Sequence, residues 1–115
     1  MKLSKRLLTL IENFKTGNPS LASRSGARGR CSEASVAFCN LTREDGLRCN
    51  VWYIVLDKDH DQYFSEWYPD IEFEGHCVVF VEGVVIDWTA RQYNPAAPFP
   101  LIYRPPKKAM DTTTD

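Results

Sequence analysis

The sequence predicts an α+β fold in which a helix headed by a cysteine packs on a small antiparallel sheet. Two observations carry this prediction. The first half of the chain holds two stretches of helical apolar spacing, and residues 47–57 and 75–92 hold strand-length runs rich in Val, Ile, Phe, Trp and Tyr.

In chain order, Leu3, Leu7, Leu8, Leu10, Ile11 and Phe14 recur at helical spacing and predict an amphipathic helix over 3–15. Thr16, Gly17, Asn18 and Pro19 end it, because Pro cannot continue a helix. Residues 20–30 are small, basic and loop-like. Three arginines there raise phosphate contact as a possibility, but the stretch has no Walker spacing, and a connector whose glycines allow close backbone approach fits better. From Cys31, the residues Ala34, Ala37, Phe38 and Leu41 give the stripe of a helix running to about Asp45, with Gly46 as its stop. Cys31 then occupies the first turn, where exposed peptide N–H groups stabilise a thiolate. Cys39 falls mid-helix, where a small soft side chain fills core space.

Residues 47–57 form a strand apolar enough on both faces to be central in its sheet. Residues 58–70 make an acidic and then aromatic connection. His60 stands there among Asp57, Asp59 and Asp61 without an EF-hand pattern, so a solvated turn is expected rather than a cation loop. Tyr63, Phe64, Trp67 and Tyr68 either pack inward or wall a groove. In the hairpin of residues 75–92, a turn at Glu82 and Gly83 sets Val81 opposite Val84, Val78 opposite Asp87 and His76 opposite Thr89. His76 and Asp87 then share a face as diagonal neighbours, roughly 7 Å apart at the backbone. A bulged three-residue loop would break that parity, and Glu is a poor first residue for a tight primed turn. Residues 93–100 are proline-rich and extended, and Leu101, Ile102 and Tyr103 supply a short edge strand.

The chain has 115 residues, 43% hydrophobic and 25% charged, and reads as one domain over 1–103 followed by a flexible tail over 104–115. A net charge of −1 removes the bulk electrostatic argument for nucleic acid, and no apolar run approaches the roughly 20 residues of a membrane span. The start of the chain lacks a signal-peptide cleavage pattern, so a cytoplasmic protein is expected. Cys31, Cys39, Cys49 and Cys77 include no Cys-x-x-Cys pair and are expected as reduced thiols. A zinc site from Cys31, Cys49, His76 and Cys77 is disfavoured, because adjacent His76 and Cys77 point to opposite faces of a strand. No metal or cofactor is expected.

A cysteine at a helix head, with His and Asp on adjacent strands facing that helix, suits thiol acyl transfer. Here the sequence resembles the papain-like and transglutaminase-like cysteine enzymes over about residues 26–94. The matching stretches are Gly29-Arg30-Cys31-Ser32-Glu33-Ala34-Ser35 with Phe38 and Leu41, and Gly46-Leu47-Arg48-Cys49 leading into a strand. Gly75-His76 opens a strand, and Val85-Ile86-Asp87-Trp88-Thr89 closes the next. Arylamine N-acetyltransferases and small papain-fold toxin domains are similar in the same core. The resemblance implies Cys31 as nucleophile, His76 as general base and acid, and Asp87 as the orienting carboxylate. It also implies a protein or peptide substrate, or a small acyl donor.

The chain departs from the pattern in three places. No glutamine precedes Cys31 at the papain-type distance, Ser32 stands where Trp is frequent, and Trp88 replaces a common Pro. The Cys31 N–H is one expected oxyanion donor, with Ser25 and Asn18 the nearby polar candidates for the second. The competing expectation is a non-catalytic binding or host-interaction module that uses residues 63–68 and 93–100. A small domain of either kind would suit a bacterial or phage effector.

Overall fold

The computed structural model describes residues 2–107. Its elements in order are α1 (Lys5–Gly17), a 3₁₀ turn (Pro19–Ala22), α2 (Arg24–Ala27), α3 (Cys31–Glu44), β1 (Asn50–Leu56), β2 (Glu74–Val81), β3 (Val84–Asp87), a second 3₁₀ turn (Ala90–Gln92) and β4 (Leu101–Tyr103). The four strands form one antiparallel sheet in the order β1-β2-β3-β4. The protein is therefore α+β, with helix packed on a small antiparallel sheet. Among the described residues, no helix is long and apolar enough to cross a membrane.

The two faces of the sheet carry separate cores. On one face, Leu7, Ile11 and Phe14 of α1 and Ala34, Phe38 and Cys39 of α3 meet Val79, Val81, Val84, Ile86 and Trp88. The rings of Phe14 and Phe38 lie 4.6 and 5.1 Å from that of Trp88, close enough for tilted aromatic packing. On the opposite face, Ile54, Leu56, Val78 and Val85 are covered by Tyr68, Ala90, Ala97 and Leu101, which belong to the connection after β1 and to the C-terminal segment. Strand alternation divides β2 between the two cores.

The hairpin register follows the expected turn: Val81 pairs with Val84, Phe80 with Val85 and Val79 with Ile86. Glu82 and Gly83 both take positive φ, 50° and 78°, as a two-residue primed turn requires. A non-glycine residue there costs on the order of 1 kcal/mol or more. The Glu82 carboxylate offsets this by accepting from the Ser4 N–H at 2.8 Å and the Ser4 hydroxyl at 2.5 Å, so the hairpin tip clasps the start of α1. Ser4 in turn caps the helix by accepting from Leu7 N.

Three expectations are corrected. First, β1 is an edge strand rather than a central one. Its outward positions Val51 and Tyr53 are exposed, Tyr53 at 74%, and the apolar content that suggested a central strand is spent on the surface. Second, the stretch 20–30 is not a plain loop. Ser23 caps α2 by accepting from Gly26 N at 3.0 Å, and a Cβ on Gly26 would come within 1.9 Å of the Ser20 carbonyl oxygen, so only glycine fits that approach. Third, the buried stripe of α3 is rotated from the expected one. Ala37 and Leu41 face solvent, while Ser35 and Thr42 are buried; Cys39 is in the core as expected. The Thr42 hydroxyl donates to the Phe38 carbonyl at 2.8 Å, which lets a polar side chain sit in the core at little cost.

Gly46, at φ 88°, ends α3 as expected. At the far end Pro105 is buried, and the expected tail residues 108–115 lie outside the described residues.

Candidate active site

The site lies where the β2–β3 pairing stops. His76 is the third residue of β2 and Asp87 the last of β3, on the same face as the register anticipates. His76 Nε2 and Asp87 Oδ2 are 2.7 Å apart, and both side chains are fully buried. The carboxylate has three further donors: the Thr89 N–H to Oδ1 at 2.9 Å, the Thr89 hydroxyl to Oδ1 at 3.4 Å and the Tyr68 hydroxyl to Oδ2. With both oxygens engaged it cannot swing, so the imidazole it holds has a fixed angle. The edges of the Tyr68 and Tyr93 rings box the imidazole at 6.0 and 5.0 Å between centroids. The Tyr93 hydroxyl is 3.3 Å from the other ring nitrogen, Nδ1.

Cys31, half-buried at the head of α3, completes the cluster. Hydrogen bonding to His76 lowers its thiol pKa, against a smaller opposing effect of burial. Interaction with the Cys77 backbone and with the charge of His76 adds to the lowering. Burial on its own would keep His76 neutral. The charge of Asp87 and its hydrogen bond, reinforced by Cys31, outweigh burial and raise the imidazole to about 9. Both shifts favour a thiolate beside an imidazolium. No side chain caps α3, so its first-turn amides stay open beside the sulfur. Glu33, an acid in that turn, is neutralised by Arg30 at 2.7 Å.

The three sequence-predicted residues are thus brought together, but not across the expected face. Trp88, next to Asp87, packs on α1 and α3, so by alternation Asp87 and His76 project to the opposite face, under Tyr68 and Tyr93. Cys31 reaches His76 around the open end of the sheet. That route exists because the β2–β3 ladder covers only Val79–Val81 and Val84–Ile86, leaving Cys77 past its end.

Of the suggested second oxyanion donors, Asn18 is engaged elsewhere, its amide donating to the Phe14 carbonyl at 2.9 Å at the end of α1. Ser25 lies with Arg24 and Arg28 along a groove of about 430 Å³. Sequence reasoning missed Tyr68, Tyr93 and Gln92. The Gln92 side chain accepts from Gly29 N at 3.4 Å and donates to the Thr89 hydroxyl at 3.0 Å, tying the loop before Cys31 to the segment after Asp87.

The other candidate residues stand apart from this cluster. Cys49 interacts with Cys39 in the core rather than with Cys31, and among the described residues no three His, Cys, Asp or Glu side chains gather as a metal site. The acidic turn bonds to itself, with Asp57 accepting from Asp59 N and His60 Nδ1 from Gln62 N. Of the aromatic segment, Tyr68 is buried, while Phe64 and Trp67 line a groove of about 500 Å³ with Leu101, Ile102 and Tyr103. Comparison with protein-family models, with curated proteins and with solved structures found no match for this chain.

Proposed function

We propose that this protein is a papain-like or transglutaminase-like cysteine enzyme that transfers an acyl group from an amide, isopeptide, ester or thioester through Cys31. The observation that carries the reading is the fully buried 2.7 Å pair of His76 and Asp87, with a helix-head thiol set against the ring. The carboxylate that holds the ring has three further donors, and both the Cys31 thiol and the Tyr93 hydroxyl stand near the ring's remaining side.

In this reading the Cys31 thiolate attacks the carbonyl carbon, and the charge that develops on the carbonyl oxygen is met by the Cys31 N–H. The His76 imidazolium gives its proton to the leaving amine, alcohol or thiol as the tetrahedral intermediate collapses to an acyl-enzyme. The neutral ring then takes a proton from the incoming acceptor, which attacks and releases Cys31. Water as acceptor gives hydrolysis or deamidation, and an amine gives transfer. Asp87 keeps the ring in one tautomer and orientation, and Tyr68 and Thr89 keep Asp87 in place. A protein or peptide, or a small acyl donor, is the substrate, and a reducing cytoplasmic setting suits the free thiols.

The test is acylation by p-nitrophenyl acetate followed by intact-mass and peptide analysis. The expected result is a burst of nitrophenolate with one acetyl group on Cys31, lost in Cys31→Ala and strongly slowed in His76→Ala. An acetyl group spread over lysines, or an unchanged burst in His76→Ala, rejects the reading.

A further inference from the structure

Cys77 is beside the nucleophile, and the acyl chemistry gives its side chain no task. By strand alternation it points to the same side as Val79 and Val81, which pack on α1 and α3. It lies past the end of the β2–β3 ladder. Its thiol lies within interaction range of the Cys31 sulfur and of Ser32. Both thiols are free and half-buried, so a small reagent reaches them, whereas Cys39 and Cys49 are free but buried.

We infer that Cys31 and Cys77 form an oxidation site, at which a hydroperoxide converts Cys31 to a sulfenic acid that Cys77 captures as a disulfide. In the first step the Cys31 thiolate attacks the peroxide oxygen. The S–O bond forms, the O–O bond breaks, and the departing alkoxide or hydroxide takes the His76 proton. In the second, the Cys77 sulfur attacks the Cys31 sulfur, the S–O bond breaks, and the hydroxyl leaves as water with the Cys77 proton. Two electrons pass from the thiol pair to one peroxide, and an external dithiol returns them. Once bonded to Cys77, Cys31 cannot attack a carbonyl, and it is also protected from irreversible oxidation to the sulfinic acid.

The inference depends on an ionised Cys31 next to Cys77 and not on acyl transfer, so its failure and that of the enzyme reading are separable. The test exposes the full chain to increments of hydrogen peroxide, quenches with a thiol-alkylating reagent and maps cysteines by mass spectrometry. The expected result is a Cys31–Cys77 linked peptide, with both thiols lost together and both restored by dithiothreitol. In Cys77→Ser, dimedone should trap Cys31 as its sulfenic acid, and sulfinic acid should accumulate at least about tenfold faster than in the wild type. Cys77→Ala gives the same readout should the serine variant fold poorly. Conversion of wild-type Cys31 to sulfinic acid while Cys77 remains a free thiol overturns the inference, as does an equal rate of sulfinic acid formation with and without Cys77.

Discussion

Helix α3 carries two cysteines, and each meets a second cysteine, yet the two pairs have opposite character. Cys31, at the head of the helix, meets Cys77 and His76 at the open end of the sheet, and its thiol is held below its ordinary pKa. Cys39, two turns along, is buried in the helix-side core against Cys49, where burial first, and then the neighbouring thiol, push Cys49 up to about 12. The residue type and the pairing are the same. What differs is the surroundings: the helix-head thiol has an imidazole and an uncapped helix end near it, whereas at Cys49 burial outweighs the opposing effects of Arg43 and Thr42.

The comparison breaks most directly by alkylation. Cys31→Ala should remove the fast phase of iodoacetamide labelling at pH 7, while Cys39→Ala leaves the rate unchanged; peptide mapping reads both, and equal labelling of all four cysteines would erase the distinction. Next in size, His76→Ala should slow Cys31 labelling roughly 10- to 100-fold at neutral pH and move the midpoint of its pH–rate curve upward, since the main stabiliser of the thiolate is gone. Urea titration sharpens the other side. Cys49→Ser should cost about 1–3 kcal/mol by burying a hydroxyl among apolar groups, while half-exposed Cys77→Ser costs less than about 0.5 kcal/mol.

A pH series isolates the buried ion pair. With the folded His76 pKa raised to about 9, its contribution to stability is fully present below the ordinary histidine value of about 6.5 and is lost as pH rises through about 9. The urea midpoint should therefore fall between pH 6 and pH 8.5; Cys31→Ala, which removes a smaller raising cause, should reduce the fall, and Asp87→Asn should flatten it. The smallest effect is expected from Tyr68→Phe, which deletes one donor to Asp87: about 1 kcal/mol of stability and a labelling rate lowered a few-fold.

Much of this arrangement was legible in the residues. The hairpin register followed from the Glu82-Gly83 turn and the alternation around it, and it placed His76 and Asp87 on one face before any coordinates. Cys31 at a helix start and Cys39 in a core followed from apolar spacing and Gly46. The errors share a cause: a one-dimensional pattern records how apolar a stretch is but not what stands beside it. Residues 47–57 looked central because they are apolar on both sides, and only the sheet order reveals that Tyr53 faces solvent. Ala37 and Leu41 fitted a helical stripe, but the aromatic cluster of Phe14, Phe38 and Trp88 fixed the rotation of α3 and drew in Ser35 and Thr42 instead. Tyr68, Tyr93 and Gln92 were out of reach for a related reason, since their roles depend on loops folding back over the sheet, which no spacing encodes.

The short β3 strand has one more consequence. Because its ladder with β2 halts at Val79 and Ile86, the edge of Cys77 that faces away from β1 is left open, while Tyr53 of β1 pairs the other. Hairpin length therefore sets how much of this strand edge stays open. Two more paired residues would cover that edge and leave the sheet with no free step beside Cys77.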